Sequence, residues 1–290
     1  MSTRFPRLRY ALAVTLLSSL LGHAAAPTPA VPILAGSGGD VAYLLGAWAG
    51  GRWLADHAAV PQLEPATRYR SWSLGKAVTS ARGARPTSLG EPCDATLGTE
   101  LHLPGPEGAL RLYLPERVQA APRPVEVLPT ANPAYAEVVR AELRRRGIAR
   151  PQVQLTRLVR ADLDGDGTQE VLIEARHFQG EAQQGSALYP PPTGQPGDYS
   201  VLLLRSVWNG QAVTSTLGAY LGPARRWDPE SSAPMPLATL YRLVDVADVN
   251  GDGRMELVTY SAYYEGSGFG VYEWTPRQGA QLRLETGCGV

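Results

Sequence analysis

Two stretches decide how this chain reads: Ala161–Phe178, ADLDGDGTQEVLIEARHF, and Ala247–Tyr264, ADVNGDGRMELVTYSAYY. They align without a gap at an offset of 86 residues. Oxygen-bearing side chains fall at alternate positions 1, 3 and 5, glycine at 6, and a carboxylate at 9. Alternate spacing turns three oxygens toward one point, glycine permits the sharp bend, and position 7 offers its carbonyl. The first loop supplies Asp162, Asp164, Asp166, the Thr168 carbonyl and Glu170. The second supplies Asp248, Asn250, Asp252, the Arg254 carbonyl and Glu256. Carboxylates this close repel one another unless a cation lies between them. Many flexible oxygen ligands suit Ca²⁺, so the expectation is two structural calcium sites. The plain alternative is an Asp-Gly turn between strands; the double five-position match argues against it.

An EF-hand would carry a bidentate glutamate at position 12, where this chain has Ile173 and Thr259. The residues after position 9, Val171-Leu172-Ile173 and Leu257-Val258-Thr259-Tyr260, favour strands over helices. The duplication extends beyond the loops. Arg-Leu-Val occurs at 157–159 and at 242–244, and 197–211 resembles 268–281. Each unit, 150–217 and 238–286, reads strand, acidic loop, strand, loop, strand, turn, strand, a pattern of stacked supersecondary units.

The DxDxDGxxE loop between strands resembles the calcium loop of FG-GAP and VCBS repeat proteins, whose blades build integrin-alpha-like β-propellers. That resemblance implies a structural calcium loop in an extracellular binding protein. It covers 150–217 and 238–286 only. The FG and GAP signature pair is missing, position 9 is Glu rather than Asp, and two copies are too few for a closed propeller. The expected fold is mainly β with one α-helix (α+β), with two blade-like units that do not close.

The N-terminus, MSTRFPRLRYALAVTLLSSLLGHAAAPTPA, has the three parts of a secretory signal peptide. Arg4, Arg7 and Arg9 form the basic region, Tyr10–Gly22 the apolar run, and Ala24 and Ala26 the small residues before cleavage near Ala26. The run is short for a membrane anchor, and no later stretch reaches transmembrane length. Removal of residues 1–26 leaves 264 of 290 residues. It takes away three arginines and no acid, so 24 basic and 27 acidic side chains remain, a net of −3. No basic excess supports nucleic-acid binding. The expected location is secreted, periplasmic or cell-envelope. In an oxidising compartment the two cysteines, Cys93 and Cys288, are expected to pair; free thiols or a bond between chains are the alternatives.

The other regions are read by composition. Residues 27–40, rich in Pro, Ala and Gly, read as a flexible lead-in. Residues 41–118 read as a β-rich region. Its Trp48, Trp53 and Trp72 suit either a carbohydrate-stacking platform or, more commonly, core packing. Residues 119–131, with three prolines, read as a linker, and 132–290 as a C-terminal domain. Residues 133–146 read as a helix capped by Asn132 and ended by Gly147, with Tyr135, Val138, Val139 and Leu143 on one stripe.

The chain carries no GxSxG, HExxH, CxxC or phosphate-binding loop. Tyr263, Tyr264 and Glu265 are the expected ligand surface, if those tyrosines do more than close a sheet edge. The favoured function is a non-catalytic binding or envelope-associated module holding two calcium ions, with an extracellular or envelope protein or glycan as partner. The alternative is a secreted, carboxylate-dependent, glycan-directed hydrolase with calcium as scaffold.

Overall fold

The computed structural model describes residues 29–38, 41–102, 108–179 and 188–289. The signal-peptide reading of residues 1–26 lies outside them. The described residues form three antiparallel sheets and two short helices.

The first sheet contains β1 (Val31–Gly36), β2 (Val41–Ala49), β3 (Arg52–Ala55), β4 (Ala66–Ser73), β5 (Lys76–Ala84), β6 (Thr87–Ser88), β7 (Leu97–Glu100) and β8 (Arg111–Pro115). Helix α1 (Asp56–Ala59) and a 3-10 turn, Val60–Gln62, follow β3. The strand order is β5-β4-β8-β1-β2-β7-β6, with β3 paired to β2. The second sheet contains β9 (Val125–Leu128), β10 (Leu155–Ala161), β11 (Glu170–His177), β12 (Tyr199–Trp208) and β13 (Gln211–Leu221), with helix α2 (Pro133–Arg145) between β9 and β10. Its order is β13-β12-β11-β10-β9. The third is a four-stranded meander: β14 (Leu240–Ala247), β15 (Glu256–Tyr263), β16 (Gly266–Thr275) and β17 (Gly279–Gly289).

Side chains alternate across a strand, and this explains the layering. On β12, Leu202 and Leu204 face the third sheet, while Tyr199, Val201 and Leu203 face α2. On β15, Leu257 faces the second sheet, whereas Val258, Tyr260 and Ala262 face the first. There they meet Ile33, Ala35, Leu45, Leu112 and Leu114. The third sheet is therefore the middle layer, apolar on both faces. The second sheet's far face is covered by Val139 and Leu143 of α2. The first sheet's far face packs Leu34, Leu44, Tyr69 and Tyr113 against Ala59 of α1 and Leu63.

Two compositional readings are corrected. Within the expected lead-in, Val31–Gly36 is strand β1, at the centre of the first sheet between β8 and β2. Ile33, Leu34 and Ala35 are fully buried; the surrounding Pro, Ala and Gly hid this short apolar run. The expected linker contains β9, which pairs with β10 from Leu158 opposite Leu128 to Ala161 opposite Val125. Ala120 is fully buried in the core between the first and third sheets. Residues on both sides of 119–131 thus share one core. The helical content is also two short helices rather than one.

Helix α2 ends as its sequence dictates. Asn132 Oδ1 accepts from Ala134 N–H (3.2 Å) and Tyr135 N–H (3.3 Å). Gly147, at φ 107°, donates to the Arg144 carbonyl, and Ile148 N–H donates to that of Leu143 (3.0 Å each), a Schellman stop. Arg145 and Arg146 pair with Glu142. The Arg145 hydrogen bond contributes most to holding the Glu142 carboxyl down at about 2, despite partial burial.

Asp245 sits at an irregularity in the β14 ladder and is fully buried. Its Oδ1 accepts from Gly75 N–H in the β4–β5 turn (2.7 Å) and from Val246 N–H (2.8 Å). Its Oδ2 accepts no hydrogen bond from the described residues. Gly75 has φ 71°, and a Cβ there would lie 2.6 Å from Val125 Cγ2, so the turn fits between β9 and β14 only as glycine. Burial pushes the Asp245 carboxyl up to about 7. A disulfide joins Cys93 to Cys288 with Cα atoms 5.4 Å apart. Beside it, Thr96 Oγ1 donates to the Gly287 carbonyl (2.6 Å).

Two outcomes follow. Between the ordinary carboxylate value and about 7, folded Asp245 keeps a proton that the unfolded chain has lost. Stability is therefore present at low pH and falls as pH rises through this window, by about 1.4 kcal/mol per unit for one group. Asp245→Asn removes that slope: urea midpoints of variant and parent should diverge from pH 4 to pH 7, the parent losing more. Parallel midpoints would contradict the assignment. Replacing both cysteines by serine frees a 195-residue loop, which chain entropy alone values at about 5 kcal/mol. The double variant should show a lowered denaturation midpoint without loss of the meander's circular dichroism.

Candidate metal loops

Each acidic loop joins the first and second strands of a meander: 162–169 between β10 and β11, and 248–255 between β14 and β15. Their side-chain-to-backbone hydrogen bonds correspond pair by pair. Asp162 Oδ1 accepts from Gly165 N–H (2.7 Å) and Oδ2 from Gly167 N–H (3.1 Å). Asp248 does the same with Gly251 (2.6 Å) and Gly253 (2.9 Å). Asp164 caps Asp166 N–H at 3.3 Å, as Asn250 caps Asp252 N–H at 2.9 Å. Asp166 accepts from Thr168 N–H at 2.6 Å and Asp252 from Arg254 N–H at 2.8 Å. Glu170 Oε2 reaches back to Leu163 N–H at 3.0 Å, and Glu256 Oε2 to Val249 N–H at 2.9 Å. Gly167 and Gly253 both have φ 86°, a backbone that side-chain-bearing residues rarely adopt.

This frame aims the loop oxygens. One ligand atom from each of Asp162, Asp164 and Asp166 lies within 4.8 Å of the others, a grouping that can hold a metal ion. Their bonds to backbone N–H groups use one lone pair per oxygen, and each carboxylate oxygen carries two. The second loop has Asn250 where the first has Asp164. The Asn250 amide donates to Glu256 Oε1 (3.1 Å). Thr168 and Arg254 occupy the carbonyl position of each loop.

The two glutamates at position 9 are the most confined members. Glu170 is 2 % exposed and Glu256 1 %. Burial, and then repulsion from the neighbouring aspartates, pushes Glu170 up to about 7 and Glu256 up to about 9. Asp248 is raised too, mainly by burial. A cation would reverse this by supplying the opposite charge at the same point.

The loops also touch. Met255 N–H in the second loop donates to the Leu163 carbonyl in the first (2.8 Å). The segment before β9 straps across both. Arg123 Nε donates to the Asp162 carbonyl (2.6 Å) and Nη2 to that of Leu163 (2.9 Å). The Ala120 carbonyl accepts from Asp248 N–H (2.8 Å). Sequence reading missed Arg123, because a lone arginine between Pro122 and Pro124 carries no motif.

The expected ligand surface lies elsewhere. Tyr264 and Glu265 form the two-residue turn from β15 to β16, with Tyr263 opposite Gly266. That is the far end of β15 from Glu256, about 23 Å away at strand rise. Tyr263 packs where side chains at Gly266 and Gly289 would be, and meets Tyr264 edge to face at 6.2 Å. Of the tryptophans, Trp72 is in the core, Trp53 lies against it, and Trp48 belongs to none of the core clusters.

Comparison with protein-family models, curated proteins and solved structures finds no match to this chain.

The Arg123 strap predicts a local effect. Arg123→Met removes two charge-assisted hydrogen bonds from the first loop and none from the second. Amide exchange at Gly165 and Gly167 should accelerate by roughly tenfold or more, with Gly251 and Gly253 unchanged. Equal changes in both loops, or none, would contradict a clamp specific to the first.

Proposed function

We propose that this chain is an extracytoplasmic, non-catalytic binding module whose two loops each hold a structural calcium ion. The observation that carries this reading is the hydrogen-bond frame that gathers three carboxylates around a shared point in the first loop, and whose backbone-to-side-chain bonds recur in the second. Such donors favour Ca²⁺ over thiophilic or imidazole-seeking metals. Magnesium demands near-ideal octahedral geometry, which one nine-residue loop of carboxylates and a carbonyl does not impose. Asp162, Asp164, Asp166, the Thr168 carbonyl and Glu170 would hold one ion. Asp248, Asn250, Asp252, the Arg254 carbonyl and Glu256 would hold the other.

The likeness to FG-GAP and VCBS loops supports a scaffold role for the ions. Each meander carries its loop between first and second strands, as a propeller blade would, and face-to-face stacking of sheets suits a short, open array. A disulfide is compatible with an oxidising compartment. No helix among the described residues is long and apolar enough to cross a membrane. The reading of residues 1–26 as a signal peptide supports export.

A binding role is favoured over hydrolysis by where the perturbed carboxyls lie. The raised acids Glu170, Asp248 and Glu256 belong to the loops, and Asp245 is sealed between strands. Buried Glu174 is held by Arg157 at 3.3 Å and by Leu243 N–H at 2.7 Å. None of these offers a free acid–base pair to an open cleft.

The test is thermal melting in calcium and in chelator. With affinity of roughly 10⁻⁴–10⁻³ M, as for extracellular modules, saturating Ca²⁺ at about 100 times Kd adds about 2.7 kcal/mol per site. A clear rise in Tm is expected, larger for calcium than for equimolar magnesium. Equal melting temperatures in calcium and chelator would overturn the proposal.

A further inference from the structure

The β2–β3 hairpin turns through Gly50 and Gly51, with φ of 57° and 76°. Two consecutive left-handed residues make the type I′ turn that matches strand twist. A Cβ on either glycine would meet nothing within 4 Å, so both face open space. Trp48 precedes this turn and pairs across the strands with Trp53. Their rings meet edge to face at 5.0 Å and 64°. Trp53 leans on the core between the first and third sheets, but Trp48 belongs to none of the core clusters. Trp48 is half-buried, so part of its indole stays open beside this turn.

That indole lines a cavity of about 670 Å³, within the usual range of ligand pockets. The other walls are the Pro29–Val31 edge, the glycine turn, Gln62 and Asn250 of the second loop. Among the described lining residues none is charged, and Arg117, which reaches the Pro29–Val31 edge, is engaged by the Pro29 and Ala30 carbonyls (3.4 and 2.6 Å). Gln62 ends the 3-10 turn and is exposed. Its carboxamide makes no hydrogen bond to the described residues, so it offers both a donor and an acceptor. An aromatic platform, a free amide and bare glycine backbone suit a neutral, polyhydroxylated ring. The C–H face of such a ring stacks on indole while its hydroxyls bond to amides. The described lining residues themselves offer a charged ligand no charged side-chain partner.

We propose that this groove is a binding subsite for neutral oligosaccharide. It rests on the binding-module reading, and places the ligand contact beside the second loop rather than at Tyr263–Glu265. Asn250 is shared by groove and loop.

The experiment titrates the full chain with cellohexaose, maltohexaose, chitohexaose and mannohexaose, read by calorimetry and tryptophan fluorescence. A heparin hexasaccharide and hexaproline serve as acidic and peptide probes. Saturable binding of at least one neutral probe is expected. Trp48→Ala should weaken it at least tenfold, about 1.4 kcal/mol, Trp48→Phe should recover part of the loss, and Gln62→Ala should weaken it without touching the core. The calcium shift of Tm is measured on the same samples. Sugar binding lost with the calcium shift intact supports the groove. If Trp48→Ala fails to fold, Gln62→Ala on the exposed turn decides. No binding of any neutral probe, binding unaffected by both substitutions, or Trp48-dependent binding of hexaproline or heparin instead would overturn the proposal. An absent calcium shift beside intact sugar binding would count against the calcium loops alone.

Discussion

Two buried glutamates open the two strands that follow the acidic loops, and the arrangement of the molecule turns on them. Glu170 and Glu256 each lie almost wholly out of water, each beside further carboxyl groups. A buried negative charge without compensation costs several kcal/mol. Without a cation, the only relief is a proton, and their raised pKa values express that pressure. Each glutamate also accepts a backbone N–H seven residues earlier, which closes its loop into a ring. The loop, the start of the strand and the local charge are therefore one problem with one solution, reached twice.

The middle sheet carries that solution into the rest of the chain. Its strands β14 and β15 are apolar on both faces and pack against the first and second sheets. Its acidic loop lies against that of the second sheet through Met255 and Leu163, and the strap from Ala120 to Arg123 crosses both. The Asp245–Gly75 hydrogen bond and the Cys93–Cys288 bridge tie it to the first sheet. Order in the loops is thereby coupled to order at both sheet interfaces. Metal binding to a frame of this kind acts on folding as any ligand of the native state does.

The loops were legible because their chemistry is local: every donor lies within nine residues, and glycines mark the bends. The β character of the flanking segments and the position and caps of α2 were legible for the same reason. The stacking of three sheets was not. A run such as Val201-Leu202-Leu203-Leu204 is apolar on both faces, which signals burial but names no partner. β1 and β9 were hidden by proline, glycine and alanine, whose propensities read as loop although tertiary pairing makes them strands. Arg123 and Asp245 act through contacts distant in sequence and leave no pattern. Among the tryptophans, composition gave no reason to separate Trp72 in the core from Trp48 at the groove; only the packing does.

The most direct measurement is anomalous diffraction near a calcium-sensitive wavelength from crystals grown with Ca²⁺, with occupancies refined at both loops. The account predicts two peaks, one ringed by Asp162, Asp164, Asp166 and Glu170 and one by Asp248, Asn250, Asp252 and Glu256, with oxygen distances near 2.3–2.6 Å. Loops that keep their hydrogen bonds but show no peak at saturating calcium would contradict it.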